Sequence, residues 1–247
     1  MGRAPRLYVD MGLAAGGSIE LASGQAHYLR SVLRLGPSAA VAVFNSADGE
    51  WLSHIVEVGK SKIRLTVESQ LREAGPESDL WLVFTPIKRA RLDWLVEKAT
   101  ELGVSALLPV WTARTQPERI NIERLRAHAT EAAEQSERLS VPELRAPEKL
   151  EHLLAAWPRD RRLIACDETG AAEPIGKGIT GWAHGPAALL VGPEGGFDQT
   201  ELDAIAKLSI VTRVGLGPRV LRAETAAVAA LAVFQAIAGD WRHSRTR

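Results

Sequence analysis

The feature that most restricts the fold lies between Ala187 and Gly239, where a strand, a loop of glycine and proline, and a helix follow one another twice. Ala187–Val191 is apolar without alternation, the pattern of a strand covered on both faces inside a parallel sheet. Gly192-Pro193-Glu194-Gly195-Gly196 ends it; the glycines let backbone approach a ligand closely, and Pro193 fixes its own φ. Asp198 followed by Glu201 has the form of a capping box and predicts a helix from about Gln199, with Leu202, Ile205 and Ala206 as its buried stripe. Ser209–Leu216 reads as the next strand and Gly217-Pro218-Arg219-Val220-Leu221-Arg222 as a second loop. The helix predicted over Glu224–Ala238 is apolar nearly all round, with Gln235 its chief interruption, and Gly239 suits its end. Two loops at the carboxyl ends of parallel strands make a crevice, the place where open α/β sheets hold ligands.

Composition narrows the class. The chain has 247 residues, enough for one large domain or two smaller ones, and 30 basic residues balance 30 acidic ones, so any nucleic-acid contact must come from a local patch. Cys166 is the single cysteine, which excludes an internal disulfide and suits a reducing compartment. The histidines form no HExxH pair, so no metal site is expected, and no apolar run approaches the ~20 residues that span a bilayer. The opening MGRAPRLYVDMGL lacks a signal-peptide core, and a cytoplasmic location is expected.

Residues 1–72 have strand character, with alternation in Ser18–Leu21 and Ile63–Glu68 and a hairpin signal at Asp48-Gly49, which suggests a small barrel. Between the strands, Gln25–Leu35 has helical spacing: Leu29, Val32 and Leu33 are expected to face the core, and Arg30 and Arg34 to share the opposite side. Residues 73–79, around Gly75-Pro76, read as a linker, and 80–247 as a second, α/β domain. There Leu80–Phe84 is a buried strand, and Lys88-Arg89-Ala90-Arg91 opens a helix whose apolar positions run from Leu92 to Leu102. Basic residues at a helix start oppose its dipole, a cost that an anion or a carboxylate can relieve. Ala106–Val110 is the next strand, Glu123–Leu139 a charged helix in which Glu134 and Arg138 are four apart, and Arg161–Cys166 a strand. Gly170 to Gly185 reads as irregular.

Several stretches together resemble one family. VGPEGGF followed by LGPRVLRAETA, with KRARLDWLVEKATELGV, EAAEQSER and the HxxxVLR-like segment at His27, is similar to the signature of the RsmE family. Its members are uridine-N3 methyltransferases of small-subunit ribosomal RNA within the SPOUT superfamily. The resemblance implies a trefoil-knotted parallel-sheet domain that binds S-adenosylmethionine, a PUA-like amino-terminal β-barrel, a homodimer, and 16S ribosomal RNA in the small subunit as partner. Under it the cofactor is expected at Leu190, Gly192, Pro193, Glu194, Gly195, Gly196, Leu216, Gly217, Arg219, Val220 and Leu221. RNA contacts are expected from Arg30, Arg34, Lys88, Arg89, Arg91 and Arg138, since phosphate contacts position a nucleic acid without reading it.

The acceptor nitrogen of uridine carries a proton that must leave, and no histidine or lysine stands out as base. Arg114, which falls where the family has a loop arginine, and Arg222 are the candidates for stabilising the uridine anion, with Glu194 organising the loop. A dinucleotide enzyme is disfavoured because neither loop has GxGxxG opening a βαβ unit, and no GxxxxGK[ST] occurs. A methyltransferase with another RNA target, and a non-catalytic RNA-binding protein of the same fold, remain the alternatives.

Overall fold

A computed structural model describes residues 4–21, 23–115, 120–182 and 185–242. The chain divides into two compact units, one of Met1–Pro76 with Ala133–Val141, the other of Glu77–Ala132 with Pro142–Arg247.

In the first unit, five strands, β1 (Arg6–Tyr8), β2 (Ser18–Leu21), β3 (Ala40–Asn45), β4 (Gly49–Val58) and β5 (Ile63–Arg72), pair in the order β1-β3-β4-β5-β2. The pairing is antiparallel except between β1 and β3. Alternation sends Ile19, Leu21, Ile63, Leu65 and Val67 into one core with Leu7, Val41, Val43 and Ile55. The β3–β4 turn needs Gly49: its φ is +82°, and a Cβ there would overlap the backbone of Arg72–Ala74.

The helical segment differs from its expected form. A short helix α1 (Ser23–His27) passes into a π turn over Tyr28–Val32, and Arg34 then takes a φ of +54°. The wider turn rotates the following side chains, so Leu29 is fully buried as expected while Val32 is 60% exposed. Arg34, off the helix, no longer shares a side with Arg30.

A buried charge cluster closes this unit. Arg6 ion-pairs with Glu50, which also accepts from Arg72 Nε at 2.6 Å. The Arg6 guanidinium further donates to the carbonyls of Ala133, Glu134 and Arg138, and Arg72 to that of Glu137. Glu137 has a φ of +63°, which ends the preceding helix at Gln135 rather than at Leu139. Arg138 therefore lies beyond the helix, and the Glu134 carboxylate accepts from the Tyr8 amide at 3.0 Å.

The second unit is an all-parallel sheet. Its main strands are β6 (Leu80–Phe84), β7 (Ala106–Trp111), β10 (Arg162–Cys166), β12 (Ala187–Val191) and β13 (Val211–Gly215), with two-residue strands β8 (Glu143–Leu144), β9 (Glu148–Lys149) and β11 (Glu173–Pro174) at the margins. The order is β11-β13-β10-β12-β6-β7-β8, with β9 beside the end of β7. Helices α2 (Arg89–Glu101), α3 (Ile122–Gln135), α4 (Leu150–Ala155), α5 (Ile175–Gly178), α6 (Gln199–Ala206) and α7 (Ala223–Ile237) connect them. β11 and α5 lie in the stretch that reads as irregular from sequence.

Every residue of β12 is buried, as its unbroken apolar run requires of the strand between β10 and β6. At the amino ends of these strands Arg161 lies 3.5 Å above the Trp81 ring and bonds the Asp79 carboxylate at 2.6 Å, so that rim is a packing feature. α7 packs on α2, and Gln235, wholly buried, donates to the Leu102 carbonyl at 2.6 Å and accepts from the Asp240 amide at 3.0 Å. A Cβ on Gly239 would overlap the Gln235 side-chain oxygen, so this glycine serves a close approach.

Candidate functional site

The carboxyl ends of five adjacent strands, β13, β10, β12, β6 and β7, put their loops on one rim of the sheet, and two clefts lie there on either side of the β12 loop. Pro193 lines both.

The first cleft, about 310 Å³, is formed by the loops after β10, β12 and β13 and the facing side of α6. Its walls are Phe197, Leu202, Ile205, Val220 and Leu221, with exposed main chain at Gly170 and Gly217. Local chemistry shapes each loop. Asp198 accepts from the Glu201 amide at 2.8 Å and Glu201 from the Asp198 amide at 2.9 Å, so the capping box read from sequence fixes where α6 starts. The other Glu201 oxygen accepts from the Ala113 amide at 2.7 Å, which ties the β7 loop to the same helix. Of the stripe expected on α6, Ile205 is buried, Leu202 faces the cleft and Ala206 is exposed, because α6 ends there rather than running on.

Gly192 carries the Phe197 ring so closely that a Cβ would sit 2.8 Å from it. Gly196 has a φ of +69°, Gly217 a φ of +99°, and a Cβ on Gly196 would overlap the Glu168 carboxylate. Asp167 is held by the Thr169 amide at 2.8 Å and by Arg213 at 2.5 Å. Burial works to raise the Asp167 carboxyl, but these hydrogen bonds and the Arg213 charge outweigh it and leave it below its ordinary value. Burial pushes the Cys166 thiol up to about 12, so the cysteine beside this cleft is no nucleophile at neutral pH.

The second cleft, about 560 Å³, is basic: Lys88, Arg89, Arg91, Arg114 and Arg124 line it, with Glu194 the one acidic group among the described residues. It is walled by the β6, β7 and β12 loops and the residues that lead into α3. Lys88, Arg89 and Arg91 stand at the start of α2, where no side chain caps the helix. The unfavourable charge is offset by carboxylates: Arg91 Nη1 lies 2.6 Å from Glu194 and 3.5 Å from Glu224. The Arg91 hydrogen bond holds the Glu194 carboxyl below its usual range, with the charges of Arg91, Arg222 and Lys88 adding to it. Arg114 donates to the Gly195 carbonyl, and Arg124 pairs with Asp93.

The structure thus gathers Gly192, Pro193, Gly196, Leu216, Gly217, Arg219, Val220 and Leu221 around the first cleft. Glu194 and Gly195, expected beside them, line the basic cleft instead, because the turn closed by the Gly196 amide on the Pro193 carbonyl carries them to its far side. Leu190 is fully buried in β12 and lines neither cleft. Arg222, exposed at the N-cap of α7, also lines neither, although its charge reaches Glu194. Arg30 spends its guanidinium on the carbonyls of Gly59 and Lys60, and Arg138 donates to Ser140 at 2.9 Å within the first unit, so neither belongs to the clefts. Sequence reasoning missed the third loop, Asp167–Gly170, together with Phe197 and Arg124. The signal was present: Arg161–Cys166 reads as a strand, and the residues after such a strand fall on the same rim.

Among the described residues no helix is long and apolar enough to cross a membrane, and no group of three or more histidines, cysteines and carboxylates is placed to hold a metal.

Comparison with known proteins bears on both units. Residues 75–235 match the family described as an RNA methyltransferase domain, and residues 21–68 an RNA methyltransferase PUA domain. The chain is 34% identical over 228 residues to ribosomal RNA small subunit methyltransferase E of Rickettsia conorii, covering 92% of this chain and 93% of that one. The Bacillus subtilis protein of the same name is 28% identical, with 85% and 86% covered. Among solved structures, ribosomal RNA small subunit methyltransferase E of Neisseria gonorrhoeae bound to S-adenosyl methionine superposes with a TM-score of 0.86 at 25% identity, over 97% of this chain and 100% of that one. A Legionella pneumophila methyltransferase in complex with the same cofactor gives 0.85 at 28% identity, over 97% and 100%.

Proposed function

The chain belongs to the RsmE family of ribosomal RNA small subunit methyltransferases, and from that premise we propose that it methylates N3 of a uridine in 16S ribosomal RNA using S-adenosylmethionine. The observation that carries the proposal is the meeting of two unlike clefts at the Pro193 loop, one partly apolar and glycine-lined, the other basic. Methyl transfer needs donor and acceptor held in line at close range, and most of the acceleration can come from that positioning.

The first cleft fits the donor on its own chemistry. Its volume, about 310 Å³, falls within the range of roughly 300–1,000 Å³ usual for small-ligand pockets. Phe197, Ile205, Val220 and Leu221 offer apolar surface to a purine, while Gly192 and Gly217, with no side chain, leave main chain open to the ligand. Of its two carboxylates Asp167 is paired with Arg213, and the exposed Glu168 is the one offered to a cationic group of the ligand. The bound cofactor supplies an electrophilic methyl carbon. The chain's own residues do the rest: the β12 and β13 loops enclose the donor, and Lys88, Arg89, Arg91, Arg114 and Arg124 attract the RNA backbone. Arg114, fastened to the Gly195 carbonyl on the loop that parts the clefts, is the cation best placed to favour the uridine anion; Arg222 acts on Glu194 from outside.

The proposal extends to the knotted course of the parallel sheet that the family implies, to an RNA-binding role for the first unit, and to a cytoplasmic place of work on ribosomal RNA. It also includes a homodimer, supported by the outer side of α7, where Val228, Ala229, Ala232 and Val233 are half-buried and Ala236 is exposed in the single chain. The test is to incubate the protein with small ribosomal subunits and isotopically labelled cofactor, digest the RNA and identify the product by mass spectrometry. Labelled 3-methyluridine at one site is expected. Label in another nucleoside, or in none, would overturn the reading.

A further inference from the structure

Glu224 lines neither cleft, yet it places a buried carboxylate next to Arg91, which lines the basic one. It is 7% exposed, its Oε1 faces Arg91 at 3.5 Å, and its Oε2 is buried with no hydrogen-bond partner. A buried carboxylate is expensive unless well paired, and one that is half satisfied is a poor device for stability. Its position in the first turn of α7 is favourable to a negative charge, but an exposed carboxylate would answer the helix dipole as well, without desolvation. What burial adds is a fixed orientation for its one partner.

That partner stands between two carboxylates of opposite character. Arg91 meets Glu194, whose side chain is 60% exposed, and Glu224, whose side chain is 10% exposed. The outer pair is weak and screened by salt, as exposed pairs are. The inner one is buried against the first turn of α7 and shielded from solvent.

We propose that Glu224 is the positioning residue that keeps Arg91 aimed into the basic cleft, and that the Glu194 carboxylate holds the place of an RNA phosphate, which displaces it on binding. A phosphodiester oxygen takes over the guanidinium hydrogens that Glu194 releases, so one anion replaces another and Arg91 never leaves its inner partner. The inference rests on the reading of the basic cleft as an RNA site. Since Glu194 belongs to the β12 loop that Pro193 shares between both clefts, its release also links RNA arrival to the cofactor side.

The experiment measures binding of protein-free 16S ribosomal RNA transcript over a salt series, for the wild type and the variants Arg91→Gln, Glu224→Gln, Glu194→Gln and Arg91→Gln/Glu224→Gln. Each lost phosphate contact makes the slope of log affinity against log salt shallower by about 0.7–0.9. Glu224→Gln and Arg91→Gln are expected each to flatten it by about that one contact and to weaken binding about tenfold at moderate salt, the double variant going no further. Glu194→Gln is expected to keep the wild-type slope and bind at least as tightly. Calorimetry with S-adenosylmethionine is expected to give wild-type affinity for Glu224→Gln, which shows that the fold and the first cleft survive. Should that variant fail to fold, Glu224→Asp, which keeps the charge on a shorter stem, is expected to weaken RNA binding with the donor site intact. A wild-type slope in Glu224→Gln, additive losses in the double variant, or wild-type RNA affinity in Glu224→Asp would overturn the role of Glu224. Absence of salt-dependent RNA binding by the wild type would instead overturn the RNA reading itself, and the inference with it.

Discussion

Gln235 shows how much a single side chain can settle. In sequence it is the chief polar interruption within the body of an apolar helix, which marks it as buried or misplaced. In the structure it is wholly buried and joins the end of α2, through the Leu102 carbonyl, to the turn after α7, through the Asp240 amide. Its oddity was legible; its partners were not, since they are set by how α7 packs on α2. Gln235→Leu keeps the volume and strands the Leu102 carbonyl, and a buried group left unpaired costs about 1–3 kcal/mol. A fall of roughly 1–3 kcal/mol in unfolding free energy is expected from denaturant titration, with no change in slope. Gly196 offers the complementary case at the site. Alanine there meets a φ of +69°, which strains the β12 turn, and displaces the Glu168 carboxylate that borders the cleft. Gly196→Ala is expected to weaken S-adenosylmethionine binding by tenfold or more in calorimetry, while costing only about 1 kcal/mol of stability.

Whole elements were legible where a local rule decided them. The capping box at Asp198 and Glu201 placed the start of α6 at the residue observed, and the apolar run of β12 foretold a strand covered on both faces. Asp198→Ala is expected to cost about 1 kcal/mol, the usual value of a lost N-cap, read as a lower melting temperature. Glu201→Ala should cost more, because Glu201 also holds the Ala113 amide of the β7 loop. The helical segment at Tyr28–Val32 failed the same kind of reading because a π turn leaves no periodic mark in eleven residues. It makes a separable prediction. A regular helix would bury Val32, and Val32→Thr would then place a hydroxyl in the core. With Val32 60% exposed, that substitution is expected to change stability by less than about 0.5 kcal/mol in chemical denaturation.

At the scale of the molecule, the division into a β-rich first part and a parallel α/β second part followed from strand spacing and loop composition. The return of 133–141 to the first unit did not. Nothing in a charged helix followed by a Ser-Val-Pro stretch announces that its carbonyls satisfy an arginine more than 120 residues earlier in the chain, as those of Ala133, Glu134 and Arg138 do for Arg6. Arg6 and Glu50 are 6% exposed at the side chain, so the cluster is a buried charge network whose members depend on one another. Its acid response can be worked out. Burial works to raise the Glu50 carboxyl, but hydrogen bonds from Arg6 and Arg72, with their charges, bring it below its ordinary 4.5. A carboxyl lowered on folding contributes stability that is fully present above the unfolded value and is lost as pH falls through the lower folded one. The wild type is therefore expected to lose stability progressively below about pH 4.5. Glu50→Gln takes the Glu50 charge away from both arginines, a change that costs roughly 3–5 kcal/mol at neutral pH when a buried pair is broken. It also removes this group's proton uptake, so the variant's stability should be lower at pH 7 yet fall less steeply toward acid. Urea titrations of both proteins from pH 7 to pH 3 would show two curves that converge, and parallel curves would mean that Glu50 is not the group whose protonation loosens the first unit.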